Sequence, residues 1–315
     1  MFSSATIVSA QECRDAMAAH RERVDGLLAR HPRRLADGSD HPVWSFLSTY
    51  YSYRPAQLRR WHPGFGVVIP TSAADRHRAQ SGYVDVEAGT TVSTEHLLHR
   101  LDTVRFVERL LTTTARRPAR LNCFGMHEWA MVYRADAEQI RHGGVGLRLG
   151  GAGTDAVVES MELRCTHFDA FRFFTPAAKP LNFSRSADLN KSLPLSRADQ
   201  VDDEQPGCVH AGMDLYKWAY KLAPLIDSDV LIDALELAFA LRELDMRASP
   251  YDLHHLGFAP IAVETPTGRA EYVRRQSELS QRAAAVRTAL ADRCARLIAA
   301  AEQAPGGVRA IVTGE

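Results

Sequence analysis

The stretch VVESMELRCTHFDAFRFF, residues 157–174, decides how the chain is read. Leu163, Cys165 and His167 alternate with Arg164, Thr166 and Phe168, the period of a strand. The alternation predicts a strand with Cys165, His167 and Asp169 on one face. The glycine-rich run before it, GGVGLRLGGAG (143–153), lacks the preceding strand and following helix of a dinucleotide loop, so a hairpin connection is expected. Upstream, LNCFGMHEWAMVYR (121–134) fits a buried strand or a buried helix equally well.

Around this centre the periodicity turns helical. Apolar residues recur at helix spacing from Ser9 to His31 (Ala16, Val24, Leu27, Leu28), ending before Pro32, and from Thr94 to Thr114 (Leu97, Leu101, Val104, Leu110, Leu111). A short buried strand is expected from Gly66 to Ile69. Beyond a polar linker from Ser184 to Pro206, helices are predicted over residues 212–225 and 227–248, the latter capped by Asp227 or Ser228. A charged helix follows from Gly268 to Ala301. The expected fold is α+β, with central, mostly antiparallel strands flanked by N-terminal and C-terminal helices. A single domain over 1–315 is expected, with a helical C-terminal subdomain from about residue 210.

The chain has 315 residues, and its 38 Lys and Arg balance 38 Asp and Glu. Whole-molecule attraction to nucleic acid or anionic membrane is therefore weak. No apolar stretch has the length of a membrane span, and no basic segment followed by an apolar run opens the sequence, so a cytoplasmic protein with no membrane partner is expected. Five cysteines, an odd number without short spacings, point to reduced thiols.

Three Cys/His pairs stand out: Cys123 with His127, Cys165 with His167, and Cys208 with His210. Each has an acid nearby, Glu128, Asp169 and Asp214 in turn. His167 and Asp169, two apart on a strand, would share a face and could bind one metal with His127 or His210 arriving from elsewhere. One iron or zinc ion is the expected cofactor of this reading, with His127, His167, Asp169 and His210 as ligands. The same residues permit metal-free hydrolysis, in which Asp169, Glu128 or His167 activates water, or a core in which they satisfy one another.

The segment 41–70, HPVWSFLSTYYSYRPAQLRRWHPGFGVVIP, crowds seven aromatics and three arginines together. Arg54, Arg59 and Arg60 could hold phosphates while Tyr51 and Trp61 stack on bases. A core segment with a charged rim explains the same composition. The acids Asp233, Glu236 and Glu243 share a helix face and read as solvated. His254 and His255 are adjacent and would point apart.

With the blocks 41–67, 122–134, 165–176, 213–224 and LRELDMRASPYDL (241–253), the chain resembles, over nearly its whole length, an actinobacterial family commonly labelled 3-methyladenine DNA glycosylase. The resemblance implies DNA repair, with an alkylated base removed by attack of water at the glycosidic carbon. The helix-hairpin-helix of other glycosylases with that name is absent, so no catalytic residue is carried over from them. A glycosylase acting on damaged DNA is the first expectation, and a metal-dependent enzyme acting on a small molecule is the alternative.

Overall fold

Ser9 caps the first long helix through a reciprocal capping box with Glu12, which satisfies two of the orphan amides at the helix start. This helix, α1 (Ala10–Arg30), follows strand β1 (Thr6–Ile7). Helices α2 (Ser45–Thr49) and α3 (Pro55–Leu58) lead to β2 (Val67–Ile69), and α4 (Asp75–Arg78) leads to the hairpin of β3 (Tyr83–Val86) and β4 (Gly89–Val92). The four strands form one mixed sheet in the order β1-β2-β4-β3, with β1 parallel to β2 and the other pairs antiparallel. A Cβ at Gly89 would lie 2.0 Å from the Ile69 carbonyl oxygen, so this approach of β4 to β2 requires glycine. The computed structural model describes residues 6–136, 145–183 and 195–304.

The rest is helical: α5 (Thr94–Ala115), α6 (Met126–Ala130), α7 (Gly150–Ser160), α8 (Phe168–Phe171), α9 (Gln200–Asp203), α10 (Val209–Leu222), α11 (Ser228–Arg247) and α12 (Pro266–Glu302). Asp227 caps α11 by accepting from the Val230 amide. Helix α10 packs along α11, and α12 packs against both and along α5. Twelve of the 14 residues of α10 are buried, so every polar side chain it carries on those positions must find its partners inside. No helix among the described residues is long and apolar enough to cross a membrane.

The α+β class holds, but the strands do not lie in the centre of the chain: the sheet is built from residues 6–92. The segment expected as a central strand is divided. Its first residues belong to α7, where Thr154, Val157 and Val158 are buried at helical spacing; β-branched content had disguised a helix period. The glycine-rich run is not a hairpin but supplies the first turn of α7, and its residues 143–144 lie outside the described residues. Residues 161–167 are extended, then α8 begins at Phe168. Leu163, Cys165 and His167 are all buried and Arg164 is exposed, but Thr166 is buried too, so the alternation holds only at its start. Leu163 bridges the main chain at Asn182, and the Cys165 main chain is met by a side chain: Asn182 Oδ1 accepts from the Cys165 amide at 2.8 Å and Asn182 Nδ2 donates to the Cys165 carbonyl at 3.1 Å. Of the expected linker, 184–194 lies outside the described residues and Gln200–Asp203 is helical.

Candidate functional site

Helix α10 projects His210, Asp214 and Lys217 from one face, at i, i+4 and i+7. Helix α11 brings Arg242 and Asp245 against them, α6 brings His127 and Glu128, the extended segment brings His167, and α9 is followed by Glu204. All of these side chains are buried. Gly125, at φ 72°, supplies the left-handed entry to α6 that aims His127 inward.

Two polar chains meet here. In the first, Arg242 Nη1 donates to Glu128 at 2.8 Å and to Asp245 at 3.0 Å, Asp245 Oδ1 lies 2.6 Å from His127 Nε2, and His127 Nδ1 lies 3.6 Å from Cys123 Sγ. Burial alone would drive His127 toward its neutral form, but the Asp245 carboxylate outweighs it and holds the imidazole well above its ordinary range. In the second, Lys217 pairs with Asp214 and, at 3.3 Å, with Asp169. Asp214 also takes His167 Nε2 at 3.2 Å and the Tyr51 hydroxyl at 3.1 Å. Burial pushes Asp214 up, yet Lys217 and His167 together hold it below the usual carboxylate range. Glu204, 4.0 Å from His167, is raised by burial.

His210 stands between the two chains. Its ring centroid lies 4.4 Å from that of His127 and 5.4 Å from that of His167. Burial first, and the facing histidines second, hold it well below the ordinary imidazole range, so it is neutral. No hydrogen bond to its ring nitrogens occurs among the described residues. The ligand atoms of His127, His210 and Asp245 all lie within 4.8 Å of one another, as do those of His167, Glu204 and Asp214.

The expected site residues therefore part company. His127, His167 and His210 converge. Asp169 stays one ion pair away, held by Lys217, Arg197 and Arg172 and kept below the ordinary carboxylate range despite its burial. Glu128 is bound to Arg242 rather than to a histidine. The three cysteines line a separate small cavity behind His127 and His210, beside Tyr272 and Gln276, and burial pushes the Cys165 and Cys208 thiols up. Neither group of converging donors among the described residues includes a cysteine, which leaves nitrogen and oxygen donors at this centre.

Of the aromatic and basic segment, Tyr51 is buried against Asp214 and Tyr216. Arg59 pairs with Asp25 at 2.6 Å, Trp61 packs beside His77, and Arg54 and Arg60 are exposed. Asp233 and Glu236 pair with Arg23, Glu243 pairs with Arg247, and His254 and His255 are exposed. Sequence reading missed Asp245, Arg242, Glu204 and Lys217. Lys217 had a signal, the spacing His210-x3-Asp214-x2-Lys217 on one helix face; Asp245 and Arg242 had none, being two of seven charged residues along α11 that local spacing does not tell apart.

Comparison with models of known families, with curated proteins and with solved structures finds no match.

Proposed function

We propose that this chain is a metal-dependent enzyme acting on a small molecule, with one ion held by His127, His210 and Asp245. The observation that carries the reading is His210: a buried, neutral imidazole without a hydrogen-bond partner among the described residues, placed where a second imidazole and a carboxylate converge. Such a group is an electron pair awaiting a Lewis acid. Two imidazoles and one carboxylate are the donor set of non-haem iron(II) sites, and zinc accepts the same donors. Arg242, donating to both Glu128 and Asp245, fixes the carboxylate from behind. A narrow cleft lined by Phe46, Tyr50 and Phe173 runs to His167, His210 and Asp214. His167 is the acid–base partner in this site: Asp214 orients Nε2, and Nδ1 has no hydrogen-bond partner among the described residues. Because His127 and Asp245 share a proton when no ion is bound, metal uptake releases it. Calorimetric titration of iron(II) or zinc in buffers of different ionisation enthalpy is expected to show about one ion bound per chain with proton release. Absence of saturable binding, or binding that His210→Ala leaves unchanged, removes the proposal.

Hydrolytic base removal is the second reading, supported by the family resemblance and by the His167–Asp214 dyad beneath aromatic walls. In it His167 activates water, because Asp169, held by three cations, is a weak base. Failure to release any base from alkylated DNA, together with no salt-sensitive DNA binding, would end this reading.

A further inference from the structure

Tyr51 also lines an open groove of about 760 Å³, formed by residues of the loops around α3, by α5 and by the C-terminal end of α10. Arg60, Arg100 and Lys221 line it, and among the described residues no acidic side chain does. None of the three cations has a carboxylate partner among the described residues. Arg100 spends one donor on the Lys221 carbonyl at 2.8 Å, closing the end of α10 and leaving the rest of its fork uncommitted. Cations that line one groove without carboxylate partners favour an anion there, since bound negative charge relieves their mutual repulsion.

The remaining wall is flat and aromatic. Tyr53 and Tyr220 are stacked, with centroids 4.8 Å apart and rings 16° from parallel. Trp218 is flanked by the ammonium groups of Lys217 and Lys221 at 4.6 and 5.5 Å, and its buried indole N–H has no hydrogen-bond partner among the described residues. Ring faces beside cations recognise a planar heteroaromatic group joined to an anion. We infer that this groove binds a nucleoside phosphate, its phosphate on Arg60, Arg100 and Lys221 and its base against the Tyr53–Tyr220 platform. The groove is lined by none of His127, His210 and Asp245, and the inference does not depend on a metal held there.

Titration calorimetry on metal-free protein tests this with AMP, adenosine, inorganic phosphate and a short single-stranded oligonucleotide. AMP is expected to bind roughly tenfold or more tightly than adenosine or phosphate, because neither fragment engages both walls. Arg60→Ala with Lys221→Ala, two exposed side chains without ion pairs, is expected to weaken AMP roughly tenfold while circular dichroism and melting stay those of the parent. Tyr53→Leu is expected to abolish the advantage of AMP over phosphate. AMP binding no better than phosphate, or binding that the double variant leaves intact, overturns the inference. Stronger binding of the oligonucleotide than of AMP also overturns it, assigning the groove to nucleic acid.

Discussion

Asp245 has no exposed surface and faces His127 on one side and Arg242 on the other. Removing one partner of a buried ion pair leaves the other uncompensated, so Asp245→Asn is expected to cost about 3–5 kcal/mol in urea unfolding. Asp233→Asn, which breaks a pair with Arg23 at the surface, is expected to cost less than about 1 kcal/mol. Equal effects would mean that the interior pair is not the charged network described. A second residue-scale test concerns His62, which burial, and then the neighbouring His77, His20 and Arg60, push down to about 3. In the unfolded chain the same imidazole titrates near about 6.5. Below that pH the unfolded chain takes up a proton that the folded chain refuses until about 3, so stability falls as the pH drops through this window. The loss amounts to about 3 kcal/mol at about pH 4. His62→Gln, whose side chain can still meet the Tyr83 hydroxyl, is expected to flatten the acid limb of stability against pH; an unchanged limb contradicts this.

At the scale of elements, α10 is the helix on which the site depends, since it carries a histidine, an acid and a cation on one buried face. Lys217 separates Asp214 from Asp169, and Lys217→Met leaves two carboxylates facing each other. A loss of about 3–5 kcal/mol is expected, partly recovered when Asp214→Leu is added, because the two substitutions share one interaction. Additive losses would contradict the coupling. Entry to α6 makes a milder demand: at Gly125 a Cβ would sit 3.2 Å from the Ala248 Cβ in a left-handed backbone. Gly125→Ala is expected to cost about 1–2 kcal/mol and to weaken metal binding by displacing His127. The long helices were legible in sequence because caps and apolar spacing agree, as at Ser9 and Asp227. The strand expected around Cys165 was misread because alternation reports an extended chain, while a sheet also needs a neighbour. Here Asn182 takes much of that neighbour's part with a side chain, which no local pattern reveals.

Across the whole molecule, the gathering of the three histidines could be suspected from the repeated Cys/His pairs, but the completion of the site could not. Asp245 meets His127 from 118 positions away, and a charged residue along α11 looks alike whether it is solvated or paired inside. Asp169 was favoured for its place beside His167, yet the turn into α8 carries it to Lys217, Arg197 and Arg172 instead. Cys123 and Cys165 do sit beside His127 and His167, but the three thiols line a cavity of their own behind His127 and His210. What remains is a centre of nitrogen and oxygen donors around a neutral His210. The most direct test is a crystal structure of metal-reconstituted protein with anomalous data collected at the iron or zinc edge. One peak about 2.0–2.2 Å from donor atoms of His127, His210 and Asp245 is the predicted result; no peak there, or a peak held by other side chains, would contradict it.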